Sequence, residues 1–181
     1  MFVKICGIRE KREIDWAVSL GYNAIGIVVY PLSKRFVPTN RAIELINYAK
    51  GKILTVVVSL NYRDVKDFEN ISDFVQIYEY VNLKGLIYAT DSPPKYQNFS
   101  YLLYDSSKGS GKFKEIPEWV IDFRDRLIVA GGLNSKNVKD VIDYIQPFGV
   151  DVSSSVEKDG KKDFKLMKEF MEYGVRRNRD V

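Results

Sequence analysis

The chain has 181 residues, of which 45% are hydrophobic and 29% are charged, a composition typical of a globular protein rather than a disordered one. Its formal net charge is +4, but the basic residues are spread along the chain, so the charge does not indicate a nucleic-acid interface. The sequence holds no histidine and one cysteine, which excludes histidine-based triads and an internal disulfide. We expect a single domain over residues 1–181.

The sequence also indicates where the protein works. No run of 18 apolar residues is present, so we expect no transmembrane helix and no membrane partner. The amino terminus lacks the charged leader, long apolar core and small-residue cleavage site of a signal peptide. A lone cysteine suits a reducing compartment. We therefore expect a cytoplasmic protein that binds no nucleic acid.

The first half of the chain alternates short β-branched runs with amphipathic stretches. In the first helix we expect Ile14, Ala17 and Val18 to face inward, and we expect Thr39 to cap the second helix. The continuous apolar run at 53–59 is typical of a parallel strand that is buried on both faces. Strands are predicted at 2–5, 24–29, 53–59 and 74–78, and helices at 9–20, 39–49 and 64–70.

The second half continues the alternation with less helix. The Ser-Pro-Pro sequence at 92–94 predicts a loop where a helix would otherwise follow a strand. Strands are predicted at 85–89, 101–104, 127–130 and 150–152, and helices at 116–123, 135–145 and 162–173. Eight βα units predict a compact (β/α)8 TIM barrel with shortened helices in the middle of the chain. Because such barrels usually have about 250 residues, a doubly wound open sheet is the alternative.

Active sites of these barrels lie at the carboxyl ends of the strands, and two segments there suit a phosphate group. Gly131 and Gly132 follow the seventh strand and allow close backbone approach at what we expect to be the start of a helix. Ser153 and Ser154 follow the eighth strand and offer hydroxyl and N–H groups. A tight turn would account for the glycines alone, but the two segments together predict a phosphate site.

Cys6 ends the first strand and Asp105 ends the sixth, so both are candidates for acid–base chemistry. An inert buried thiol and a loop-capping aspartate are the plain alternatives. Because side chains alternate along a strand, Lys4 and Cys6 share one face, and the lysine charge would favour the thiolate. A carboxyl group in a water-poor pocket can stay protonated and act as an acid.

Four segments, taken in order, resemble the phosphoribosylanthranilate isomerase family nearly from end to end. The first and last are the most specific. They are VKICGI at 3–8, the stretch from Gly26 to Tyr30-Pro31-x-Ser33-x-Arg35, AGGLN at 130–134 followed by Asn137-Val138, and GVDVSSSVE at 149–157.

The resemblance implies an Amadori rearrangement of a phosphorylated substrate in tryptophan biosynthesis, without metal or organic cofactor. It implies that Asp105 is the general acid for ring opening and that Cys6 is the base that removes the C2 proton. It places Arg35 against the anthranilate carboxylate, and a guanidinium suits that role because it binds carboxylates with two prongs. Asp151 would contact the polar middle of the substrate, and the protein would be a monomer or a homodimer.

Two departures from the family pattern affect these expectations. Family members usually carry Gln-Leu-His-Gly after the fourth strand, whereas this chain has Gln76-Ile77-Tyr78-Glu79. The loop after Asp105 is shortened but keeps the glycines at 109 and 111. Two alternatives stay open: another phosphate-binding barrel enzyme of the tryptophan or histidine pathway, and a non-catalytic sensor of a phosphorylated ligand.

Overall fold

A computed structural model describes residues 1–105 and 116–175, and these residues form a closed barrel of eight parallel strands. Each strand pairs with the next, and β8 pairs with β1 through Val150 opposite Val3 and Asp151 opposite Lys4. The predicted TIM barrel is confirmed, because the open sheet would leave this pairing unmade. The strands are Phe2–Cys6 (β1), Ala24–Val28 (β2), Leu54–Val58 (β3), Phe74–Ile77 (β4), Leu86–Thr90 (β5), Tyr101–Asp105 (β6), Leu127–Ala130 (β7) and Gly149–Val152 (β8).

The helices are unevenly distributed around the barrel. The α-helices are Lys11–Leu20 (α1), Thr39–Ala49 (α2), Tyr62–Val65 (α3), Val138–Ile145 (α4) and Phe164–Glu169 (α5). The segments 78–85 and 91–100, which are described in full, contain no helix. There Tyr80 stacks on Tyr96 with ring centroids 4.1 Å apart and meets Tyr88 edge-on at 5.7 Å. Aromatic rings therefore cover the barrel wall where two helices would pack. Within the described residues, no helix has the length and apolar character needed to cross a bilayer.

Several predicted helix boundaries and faces are wrong for local reasons. Thr39 is the first residue of α2 rather than its cap. The cap position is Pro38, whose side chain makes no capping hydrogen bond. In α1, Glu13 turns inward because its carboxylate accepts the N–H groups of Arg9 and Glu10. The buried face therefore includes Glu13, and Val18 lies at its edge with 39% of its surface exposed.

The later helices also differ from their predictions. Residues 118–126 form a 3₁₀-helix rather than an α-helix. A small antiparallel hairpin, Glu157–Lys158 (β9) with Lys161–Lys162 (β10), comes before α5, so Lys162 lies in a strand. Continuation of α5 as a π-helix extends the helical segment to residue 175. The hairpin brings two charged side chains toward the barrel mouth. The glycines at 109 and 111, in the loop after Asp105, lie outside the described residues.

The amino-terminal end of the barrel is closed by aromatic rings. Phe148 stacks on Tyr101 with centroids 4.7 Å apart and on Phe2 at 5.3 Å, and Phe74 meets Tyr101 edge-on. All four rings pack against the apolar cluster inside the barrel. These partly buried rings cover the apolar interior at this end, opposite the carboxyl ends of the strands.

Replacement of one floor ring tests this arrangement. Phe148→Ala should lower the free energy of unfolding by about 2–4 kcal/mol, because it removes two stacked contacts and leaves a gap beneath the barrel. Denaturant unfolding measures the change. Tyr144→Ala is the control, since Tyr144 is 72% exposed and its loss should cost no more than about 0.5 kcal/mol. Equal losses in the two variants would show that the rings do not hold the floor.

Candidate active site

All eight residues that the sequence nominates line one cavity of about 290 Å³ at the carboxyl ends of the strands. Side-chain alternation explains the convergence: Leu103 faces the barrel interior, and Asp105 two residues later faces the same way. The eight are Cys6, Arg35, Asp105, Gly131, Gly132, Asp151, Ser153 and Ser154.

Two glycines leave space at the site, one for the Cys6 thiol and one for the Arg35 side chain. Gly26 lies opposite Cys6 in the β1–β2 register, and a Cβ atom at Gly26 would come within 2.8 Å of the Cys6 sulfur. Gly7 has a φ of +89°, and the side chain of Arg35 passes over it where a Cβ atom would stand. Only glycine at both positions lets the thiol and the guanidinium approach the same cavity.

A buried ion pair lies beneath the thiol. Lys4 Nζ is 3.0 Å from Asp151 Oδ2, and the two side chains are 0% and 8% exposed. Burial raises the pKa of the Cys6 thiol above its ordinary value, while the positive charge of Lys4 acts in the opposite direction. Lys4 therefore favours the thiolate, as the sequence predicts, but burial has the larger effect in the protein without substrate.

Tyr78, which follows β4, contacts Asp105 at the end of β6, with β5 between the two strands. The hydroxyl of Tyr78 donates a hydrogen bond of 2.9 Å to Asp105 Oδ2. Burial, followed by the adjacent carboxylate, raises the pKa of Tyr78 above its ordinary value, so the phenol remains a donor. Tyr78 occupies the position of the histidine expected from the family pattern.

The guanidinium of Arg35 is paired within the protein. Its Nε and Nη2 atoms donate to the two carboxylate oxygens of Glu157 at 2.6 and 2.8 Å. Lys162 Nζ donates to Glu157 Oε1 at 2.8 Å and to the Ser153 carbonyl at 3.0 Å. Although burial alone would raise the pKa of Glu157, the bonds from these two cations leave it lowered. The hairpin thus connects Arg35 to the segment after β8.

The two expected phosphate-binding segments lie side by side. Gly131 and Gly132 have φ values of +88° and +71°, a conformation that suits glycine. The Ser153 hydroxyl donates to the Cys6 carbonyl at 2.9 Å, so this serine also fixes the end of β1. Ser154 is exposed at the cavity edge.

The expectation that the glycines open a helix is wrong. The Asn134 side chain accepts the N–H groups of Lys136 and Asn137, and the Asn137 side chain accepts the N–H group of Asn134. These bonds hold a turn, and α4 begins only at Val138.

Sequence reasoning assigned no role to four side chains near the site, namely Gln76, Tyr78, Glu157 and Lys162. Gln76 lines the cavity with 5% of its surface exposed, and its Oε1 atom has no hydrogen-bond partner among the described residues. Gln76 and Tyr78 could have been found from alternation along the strand predicted at 74–78, since residues two positions apart point to the same face. Glu157 and Lys162 gave no such signal, because the hairpin that carries them has no strong strand pattern.

Comparison with known proteins points to one family. The family model for N-(5'-phosphoribosyl)anthranilate (PRA) isomerase matches residues 3–173. The chain belongs to the PRA isomerase family. A curated PRA isomerase from Pyrococcus abyssi is 34% identical to it, over 100% of this chain and 99% of the relative.

Solved structures of the PRA isomerase family share the fold. The Thermotoga maritima enzyme superposes with a TM-score of 0.82 at 29% identity, over 96% of this chain and 98% of the relative. Another PRA isomerase structure, in complex with reduced 1-(o-carboxyphenylamino)-1-deoxyribulose 5-phosphate, has a TM-score of 0.78 at 29% identity and the same coverage. This family is one of isomerases, so the chain is an enzyme of that class.

The effect of Lys4 on the thiol can be measured directly, because Cys6 is the sole cysteine. In wild type the thiol should titrate above the ordinary value of about 8.5. In Lys4→Met it should titrate higher still, because the nearest positive charge is gone and Asp151 is left uncompensated. Thiolate absorbance against pH gives both midpoints. Lys11→Met, which removes a surface lysine, should match wild type, and equal midpoints in all three proteins would contradict the coupling.

Proposed function

We propose that this chain catalyses the Amadori rearrangement of N-(5-phosphoribosyl)anthranilate to 1-(2-carboxyphenylamino)-1-deoxyribulose 5-phosphate in tryptophan biosynthesis. One observation carries the proposal: a thiol, a carboxyl group, an arginine and two glycine- and serine-rich loops meet in a single cavity. The family supplies the reaction class, and a structural relative binds the reduced form of this product.

The two ends of the cavity suit the two ends of the substrate. The loops after β7 and β8 would hold the phosphate through Gly131, Gly132, Ser153 and Ser154, as loops at these positions often do in this fold. Arg35 would bind the anthranilate carboxylate. Because Glu157 already takes Nε and Nη2, we expect the substrate carboxylate to bind the remaining edge of the guanidinium.

The reaction would proceed in two proton transfers. Asp105 protonates the furanose ring oxygen as the bond from that oxygen to C1 breaks, which gives a protonated imine. The imine then accepts the electron pair of the C2–H bond while the Cys6 thiolate takes the proton. The resulting enolamine tautomerises to the ketone. Asp151, whose partner Lys4 holds it in place, would face the polar middle of the substrate.

The electrostatics of Cys6 suit a base rather than a resting thiolate. A raised pKa makes the thiolate more basic but less populated, and each pKa unit costs about 1.4 kcal/mol. Lys4 reduces that cost in the free protein. The positive imine would reduce it further once the ring has opened, so the base would gain strength when the C2 proton becomes acidic.

Replacement of the acid and the base tests the assignment. Cys6→Ser and Asp105→Asn should each lower kcat about 10² to 10⁴-fold, the span of a positioned acid or base. Conversion of phosphoribosylanthranilate is followed by the loss of its fluorescence. Asp91→Asn is the control, since Asp91 is exposed just after β5 and does not line the cavity. Near-normal turnover by Cys6→Ser would overturn the role of the base.

Arg35→Lys tests the carboxylate site. The lysine keeps a charge but loses the two-pronged geometry, so KM should rise about 10-fold or more while kcat changes less. Arg41→Lys, at an exposed arginine paired with Glu44, should leave both constants unchanged. A KM for Arg35→Lys that equals the wild-type value would place the substrate carboxylate elsewhere.

A further inference from the structure

Tyr78 is a polar side chain at the site that the proposed mechanism does not use. It directly follows β4, while Asp105 ends β6, and β5 lies between those strands. Its hydroxyl nevertheless reaches Asp105 Oδ2 at 2.9 Å, and both residues line the cavity. The contact joins the ends of the two strands that flank β5, so it depends on the pairing of β4, β5 and β6 in the folded sheet.

Both ends of Tyr78 are held. Its backbone N–H donates to the Leu60 carbonyl at 3.2 Å, which ties the end of β4 to the loop after β3. Its ring packs against the apolar cluster inside the barrel, a cluster that includes Leu103 of β6. The phenol is therefore a fixed donor rather than a mobile surface group.

A hydrogen bond from such a donor restricts the orientation of an aspartate at the end of a strand. Rotation about the terminal torsion of a carboxyl group is broad and roughly two-fold, so packing alone sets it poorly. A hydrogen bond to one oxygen fixes the plane of the group and thereby the direction of its acidic proton. Small errors in the placement of a reacting group reduce rates strongly.

We propose that Tyr78 is a positioning residue that orients Asp105 for proton transfer to the substrate, in the place where the family usually carries a histidine. This inference rests on the proposed function, because it assigns Tyr78 a role only through the acid Asp105. It accounts for the retention of a hydrogen-bond donor at position 78 in a chain that has no histidine.

The first test is Tyr78→Phe, which removes one oxygen atom and keeps the ring in its packing. It should lower kcat about 10-fold and change KM less than about twofold, because orientation of the acid affects the chemical step more than binding. Tyr80→Phe is the matched control, since the Tyr80 hydroxyl lies outside the cavity and has an exposed 3.4 Å contact to the Asn98 carbonyl. Its kcat should equal that of wild type.

A double-mutant cycle separates positioning from direct action on the substrate. If Tyr78 acts through Asp105, Tyr78→Phe in an Asp105→Asn background should change kcat less than about twofold. A further 10-fold loss in that background, or wild-type kcat in the single variant, would overturn the inference. If thermal melting shows that Tyr78→Phe does not fold, Tyr78→Leu, which also lacks the hydroxyl donor, takes its place in both tests.

The failure of this inference differs from the failure of the proposed function. If wild-type protein does not convert phosphoribosylanthranilate, the proposed function is wrong whatever Tyr78 does. If wild type is active and Tyr78→Phe is equally active, the reaction stands and only the role of Tyr78 is removed.

Discussion

Lys4 and Asp151 neutralise each other inside the barrel because β1 and β8 pair in a register that places them side by side. A lone charge in this buried position would be costly, and only closure of the barrel supplies the partner. Cys6 lies two residues beyond Lys4 on the same face of β1. The ion pair therefore lies at the bottom of the cavity, and its lysine supplies the positive charge that favours the thiolate. The geometry of the site depends on this closure more than on any single loop.

The outer wall of the barrel has little helix in the middle of the chain, whereas the carboxyl ends of the strands carry all the residues of the candidate site. Two connections lack helices, and aromatic rings such as Tyr80 and Tyr96 cover the wall instead. At the amino-terminal end Phe148, Tyr101 and Phe2 form a stacked floor. Large rings bury much apolar surface per residue, which lets a chain shorter than most barrels still form a closed core. The residues proposed to bind substrate all lie at the opposite end, where the strands and not the missing helices position them.

Charge within the cavity is divided between its two sides. Arg35, Glu157 and Lys162 form one chain of ion pairs, and Lys162 also bonds the Ser153 carbonyl beside the loops proposed for phosphate. The hairpin thus links Arg35 to the loops proposed to bind phosphate. On the other side, the Tyr78 hydroxyl donates a hydrogen bond to the Asp105 carboxyl group.

The sequence by itself determined the barrel and the strand ends to within one residue. Strand alternation and the strand ends nominated Cys6 and Asp105, whereas Asp151 came from the family resemblance. Strand alternation and the order of βα units are local properties, so they can be read without knowledge of distant contacts. Helix boundaries were less accurate, because side chains such as Asn134 and Glu13 bond the backbone and shift where a helix begins or which face it buries.

Only the tertiary structure decided which partners these residues have. Arg35 and Glu157 are 122 positions apart, and Tyr78 and Asp105 are 27 positions apart. No local pattern encodes either pair. Whether burial or the Lys4 charge dominates the Cys6 thiol was likewise set by the depth of the side chain in the closed barrel. Pairing across a closed sheet joins residues through space, and the energies that follow from burial exist only once that sheet has formed.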